Sequence, residues 1–372
     1  MTSRERRLEA PHRRLETASR SRAIGRRALE RIALVVYRSG EWIIGRLPRR
    51  LVEGAFSVVL QGSYLLWPTK RRWSNTNFGH VLGLPPDDPA VRRVARAAYR
   101  SYARYLVELM RLPRMSDAEV EGTVEPLELE AMMAIWHESN GLILTIAHIG
   151  SNEAVGRGMA HHGLPFNVVA DDSTFPELFE HLRRQREEWS VKLIPWRNLR
   201  EIFNVLRRRE ILVLLVDWGY RPDGVPVTLF DAWTTLPAGP AFLAGKTGAT
   251  ILPITIRRID DRRFHVEGDP PIRVPSTSDR DVAAATQQLA GWLERTIAAA
   301  PDQWYSFKPI WPLAADEQRT LEERATAMRS SSAVERSKAG PTSDTAGGDR
   351  PRPDDSAPPP AGPHPAVDDA AG

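Results

Sequence analysis

From Leu142 to Ile256 the chain alternates short, nearly uninterrupted apolar runs with longer segments in which apolar and polar residues mix at helical spacing. The runs are LILTIA (142–147), FNVVA (166–170), VKLI (191–194), ILVLLV (211–216) and TILPITI (250–256). Their length and their β-branched residues predict buried strands. The segments between them predict helices near 152–162, 176–189, 197–209 and 239–247. Such alternation argues for an α/β sheet with helices on both faces, in which ligands gather at the carboxyl ends of the strands. A last helix is expected near Asp279 to Ala299, ahead of the aromatic segment PDQWYSFKPIWP.

The N-terminal third has a different pattern. Residues 90–112 place Val91, Val94, Ala98, Tyr102, Tyr105 and Leu109 on one helical face, with Arg92, Arg96, Arg100 and Arg104 on the other. That arginine ridge fits a solvated helix face or contact with lipid headgroups. Upstream lie apolar stretches at Ile32 to Tyr37, Trp42 to Ile44 and Ala55 to Trp67. The longest uncharged window, Gly54 to Pro68, has 15 residues and is interrupted by Gln61, Gly62 and Ser63. It falls short of the ~18 to 20 apolar residues of a spanning helix, so it is expected at a bilayer interface or in the protein core.

Composition narrows the classes. With 372 residues, 42% hydrophobic and 26% charged, the chain is an ordinary globular mix with room for two domains, or one large domain with appendages. Cysteine is absent, which excludes disulfides, thiolate metal sites and a cysteine acyl-enzyme. The net charge of +4 is modest, but residues 1–50 hold 14 arginines against five acidic residues. Clustered arginine suits nucleic acid or anionic lipid. The neighbouring apolar stretches, with Trp42, Tyr64 and Trp67 as amphipathic aromatics, favour an anionic membrane surface and no nucleic acid. The first 30 residues interleave Arg with Glu and lack the apolar centre of a secretory signal, so a peripheral or monotopic position on the cytoplasmic face is expected. Residues 314–372 lose aromatics and periodicity and are expected to be mostly disordered, with roughly 330–372 outside the fold.

One local pattern points to chemistry. In AHIGSNE, His148 directly follows a strand and Glu153 lies five positions on. Five residues of helix leave two side chains about 140° apart, so the pair can meet only if His148 precedes the helix. Gly150 can supply the turn and Ser151 or Asn152 the cap. An imidazole held by a carboxylate can take a proton from an alcohol. The same spacing also fits a loop histidine beside an ordinary first-turn acid. His161 and His162 diverge by about 100° on a helix, so no metal spacing emerges. Phosphate-loop, nucleophile-elbow and dinucleotide fingerprints are missing.

The segment GLILTIAHIGSNEAVG resembles the H-x4-D/E motif of membrane-associated glycerolipid-type acyltransferases. Its surroundings are similar to the branch containing lipid A lauroyl/myristoyl acyltransferases and phosphatidylinositol mannoside acyltransferases. The blocks YRSGEWIIGRLP, VVADDSTFPELFEHLRRQRE, ILVLLVDWGYRPDGVPVTLFDAWTTLPAGPAFLAGKTGATILPI and PDQWYSFKPIWP follow in order, covering about residues 30 to 312. The resemblance implies an α/β fold with a central mixed sheet flanked by helices. Residues 1–30 would be a basic arm, 31–135 a helical membrane-docking part and 136–313 the catalytic core.

It further implies an O-acyltransferase that moves a fatty acyl chain from acyl-CoA or acyl carrier protein to a hydroxyl of a lipid or glycolipid, without metal or redox cofactor. His148 would be the general base, Glu153 its orienting acid and Asp217 a second acidic partner. Asp171 and Arg186 would bind substrate, as would the helix start at 236–249 through Gly239 and Lys246. Each has a plainer reading: Asp171 as a turn residue, Arg186 as part of a basic helix face, Asp217 as a strand-end cap, and 236–249 as a closely packed helix. A hydrolase of the same fold, or a membrane adaptor, is the alternative. The variant DWGY at 217–220 and the basic N-terminus leave a mannosylated or other glycosylated lipid at least as suitable an acceptor as lipid A.

Overall fold

Five parallel strands buried on both faces explain why the apolar runs show almost no alternation. The structure, a computed structural model, describes residues 30–125, 129–172 and 176–338. The first third is helical: α1 (residues 30–44), α2 (Arg49–Leu66), α3 (Pro68–Leu82), α4 (Pro89–Arg111), α5 (Asp117–Glu121) and α6 (Leu129–Glu138). The expected alternation follows as β1 (Leu142–Ile146), α7 (Asn152–Ala160), β2 (Phe166–Ala170), α8 (Pro176–Glu187), β3 (Val191–Pro195), α9 (Leu199–Arg207) and β4 (Ile211–Leu215). A hairpin of β5 (Val225–Leu229) and β6 (Ala232–Leu236) precedes α10 (Gly239–Thr247), β7 (Thr250–Arg258), β8 (Phe264–Gly268), α11 (Asp279–Ala299) and α12 (Ala315–Lys338).

The main sheet runs in the order β3-β2-β4-β1-β7-β8, with β7 and β8 antiparallel and every other pair parallel. It is the mixed sheet flanked by helices that was expected. Period-two alternation sends Leu144, Ile146, Val213 and Ile254 to one face, with Val155 and Met159 of α7. Ile143, Leu212 and Ile251 go to the other face, with Ile202, Ala241 and Trp292 of α9, α10 and α11. Tyr64, Phe78 and Val91 of the helical third join this second cluster. The described residues from 30 to 329 form one compact unit.

Helix α4 matches the amphipathic prediction in extent, but its buried side includes Ala95, Tyr99, Ala103 and Val107 as well as Val91 and Ala98. Packing against α2, α3 and the segment after α11 covers more than one stripe. Glu108 ties α4 to two other elements, accepting from Arg258 of β7 at 2.7 and 2.5 Å and from Arg49 of α2 at 2.8 Å.

The expected start of tail disorder at 314 is corrected by α12, whose Leu321 and Ala325 are buried. Two apolar positions four apart give one narrow seam, too little to register as periodicity. Ser330 begins a second unit, of which only residues 330–338 are described. The basic arm, residues 1–29, and the tail beyond 338 lie outside the described residues.

Candidate active site

Strands β1 and β4 lie side by side at the middle of the sheet, with Ile146 opposite Leu215. Two residues past each strand end, His148 and Asp217 therefore meet. The His148 Nδ1 is 2.7 Å from Asp217 Oδ1, and the His148 backbone N–H donates to Oδ2 at 2.9 Å. The indole N–H of buried Trp304 also donates to Oδ2, at 2.9 Å. A carboxylate only accepts, so Nδ1 carries a proton, and in the neutral imidazole Nε2 is the nitrogen with the lone pair. Burial pushes the Asp217 carboxyl up, but the adjoining imidazole, the His148 amide and the Trp304 indole outweigh it and hold the group below its ordinary value.

The turn after His148 needs glycine. Gly150 has φ +68°, and a Cβ there would lie 2.6 Å from the carbonyl oxygen of Ile256. The segment after α11 closes over the turn: the Tyr305 N–H donates to the His148 carbonyl at 2.7 Å and its hydroxyl to that of Gly150 at 2.8 Å.

Glu153, expected from the sequence as the acid beside His148, makes no hydrogen bond to it. It sits in the first turn of α7, as anticipated, but pairs with Arg186 of α8 through Nη2–Oε1 at 2.7 Å and Nε–Oε2 at 3.0 Å. His148 turns back along the sheet toward β4, while the start of α7 aims Glu153 at α8. Arg186 is 4% exposed. Burial works against its charge, and Glu153 more than offsets that. The two expected site residues thus form a bidentate ion pair in the cavity wall, bridging the helices that flank it.

The cavity has a volume of about 680 Å³. Its sheet side is apolar, with Leu144, Ile146, Val168, Val213 and Ile254; its helix side includes Met159, Leu178 and Leu182. His148, Trp218 and Asp171 line it near the carboxyl edge of the sheet, and Phe166 and Val191 at the far ends of β2 and β3. Phe166 is level with Leu142 across the sheet, six residues back from His148. At ~3.3 Å per residue the cavity runs about 20 Å along the strands.

Gly239 and Lys246 are not brought to this site. A Cβ on Gly239, at the start of α10, would meet nothing within 4 Å, so no close approach demands glycine. Lys246 is exposed in the last turn of α10, and neither residue lines the cavity. Leu236 and Pro237, just ahead of α10, do line it. Sequence reasoning assigned no role to Trp304 or Trp218. A tryptophan block directly after α11 was the available signal, because a buried indole requires an acceptor.

The family model described as bacterial lipid A biosynthesis acyltransferase matches residues 21–312. The phosphatidylinositol mannoside acyltransferase of Mycolicibacterium smegmatis is 27% identical over 291 residues, covering 76% of this chain and 92% of the relative. That of Mycobacterium tuberculosis is 28% identical over 299 residues, covering 78% and 92%. The order of sequence blocks, the mixed sheet and this match over most of the chain agree, and the chain is an acyltransferase that belongs to the bacterial lipid A biosynthesis acyltransferase family.

Proposed function

We propose that the protein transfers a fatty acyl chain from a thioester of CoA or acyl carrier protein to a hydroxyl of a glycolipid, at a membrane surface. The observation that carries this reading is a histidine whose Nδ1 is held by a buried carboxylate, in the wall of a 680 Å³ largely apolar cavity. Nε2 of His148 takes the proton of the acceptor hydroxyl as its oxygen attacks the thioester carbonyl. Asp217 holds the tautomer and stabilises the imidazolium. The tetrahedral oxyanion collapses with loss of the thiolate, which receives the proton from His148. No side chain caps the N-terminus of α7, which begins four residues after His148. Its first-turn N–H groups are suited to meet the oxyanion.

The cavity suits the acyl chain, since each buried methylene gains roughly 0.8 kcal/mol. The names of the relatives favour a mannosylated phosphatidylinositol lipid as acceptor. No described helix is long and apolar enough to cross a membrane. Membrane contact is assigned instead to α1 and α2, where Val35, Val36, Leu51, Val58, Val59 and Leu66 are all more than 60% exposed. They form apolar stripes at helical spacing. Exposed Arg38, Arg46 and Arg50 supply charge for anionic headgroups.

The test is transfer of a palmitoyl group from palmitoyl-CoA to phosphatidylinositol mannoside by purified His148→Ala protein. Loss of transfer with an unchanged circular dichroism spectrum is expected; near-normal turnover would rule the mechanism out.

A further inference from the structure

Two lysines that the transfer chemistry above does not use lie beside the cavity: Lys308 stands over Trp218, a residue of the cavity wall, and Lys70 is near enough to repel it. Lys308 lies in the PDQWYSFKPIWP segment, with its Nζ 3.6 Å from the centroid of the Trp218 ring. Trp218 lines the cavity, is exposed at its rim, and has its ring centroid 5.9 Å from that of His148. Lys70 lies in the first turn of α3, with its Nζ 4.4 Å from the centroid of Trp73 and 5.8 Å from that of Trp67. Each ammonium is thus steadied by an indole face.

One residue holds the two segments in register. Asn77 of α3 donates through Nδ2 to the carbonyl of Lys308 at 2.7 Å, and its Oδ1 accepts from the Ile310 N–H at 3.1 Å. Asn77 follows Lys70 by two helical turns, so both side chains leave α3 on the face that meets the Lys308 segment. The resulting proximity is unfavourable for two cations. Burial, and after it the repulsion of Lys70, hold the Lys308 ammonium below its ordinary value, while Asp171 at the cavity mouth opposes this less strongly. An anion between the lysines would relieve that repulsion, and a phosphate accepts charge-assisted hydrogen bonds from both.

We propose that Lys70 and Lys308 form a clamp for a substrate phosphate at the cavity entrance, beside His148. The proposal rests on the acyl-transfer reading, in which phosphate comes from two sources: the CoA or phosphopantetheine arm of the donor, and the phosphodiester of the acceptor lipid. Either one, held at the rim, leaves its reacting group to reach the imidazole while the acyl chain occupies the cavity.

Steady-state kinetics of Lys70→Ala, Lys308→Ala and Lys308→Arg separate the sources. Palmitoyl-CoA is compared with palmitoyl-pantetheine, which lacks phosphate, and phosphatidylinositol mannoside with a phosphate-free mannosyl diacylglycerol, all in phosphatidylcholine vesicles. Each alanine variant is expected to raise one KM about tenfold, the loss of one charged hydrogen bond, with kcat nearly unchanged. A rise for palmitoyl-CoA but not palmitoyl-pantetheine assigns the donor phosphate. A rise for phosphatidylinositol mannoside but not its phosphate-free counterpart assigns the acceptor phosphate. Lys308→Arg should recover most of the affinity. Unchanged KM values, or equal rises with the phosphate-free substrates, overturn the clamp alone. A wild type that transfers nothing from either palmitoyl-CoA or palmitoyl-acyl carrier protein overturns the acyl-transfer reading and the clamp with it.

Discussion

A carboxylate sealed from water persists where donors surround it, and Asp217 has three: the His148 ring, the His148 amide and the Trp304 indole. Because these donors set its folded pKa below the ordinary ~3.9, the unfolded chain binds more protons in the interval between the two values. The stabilisation is complete above that ordinary value and is lost as pH falls through the folded one. Thermal unfolding midpoints of the wild type should therefore drop more steeply below about pH 4 than those of Asp217→Asn. Parallel curves would mean that the carboxylate is not held by these contacts. The histidine of the proposed base was legible in the sequence, because a histidine directly after an apolar run stands where α/β sheets keep their ligands. Its partner, Asp217, was named only as a second acid behind Glu153 and only through the family resemblance, since it lies 69 positions away and meets His148 only through the pairing of β1 with β4. Glu153, five residues off, was the nearest acid along the chain and proved to serve Arg186.

Among the elements, α2 has a stripe of Leu51, Val58, Val59, Leu65 and Leu66 facing outward, while Val52 and Tyr64 pack inward. Such a surface is costly to leave in water and is the one proposed to meet lipid. A Val58→Glu/Val59→Glu/Leu66→Glu variant should lose flotation with anionic liposomes by more than about tenfold and keep its unfolding temperature within a few degrees, as exposed positions contribute little to the core. Undiminished flotation would move the contact elsewhere. The strands and most helices of the sheet region follow directly from their patterns. The β5–β6 hairpin escaped because its turn residues, Phe230 and Asp231, adopt φ +48° and +56° without the Asn-Gly or Asp-Gly pair that marks such turns. Helices α2 and α3 were covered only by the expectation of a helical part at 31–135, without bounds: one faces outward with apolar residues, and the other buries Ser74, Asn75 and Asn77, so neither follows the usual apolar-in pattern.

At the scale of the whole molecule, one unit couples a membrane-suited surface to a cavity running beneath α7 and α8 from the carboxyl edge of the sheet to the start of β2. No pattern along the chain announces that cavity, because its lining residues also read as ordinary core. Val168 lies halfway along it, level with Val213 and Leu144. Val168→Trp should block its depth, lowering kcat/KM for a sixteen-carbon donor at least about tenfold relative to an eight-carbon one. An unchanged ratio would place the acyl chain elsewhere. The central claim, that the base is backed by Asp217 across the sheet rather than by Glu153 along the chain, is tested most directly by comparing turnover of Asp217→Asn and Glu153→Gln with palmitoyl-CoA and phosphatidylinositol mannoside. The prediction is a fall in kcat of about 10³ to 10⁴ for Asp217→Asn, from the wrong tautomer, against a loss within about tenfold for Glu153→Gln. Equal losses, or a near-normal Asp217→Asn enzyme, would contradict it.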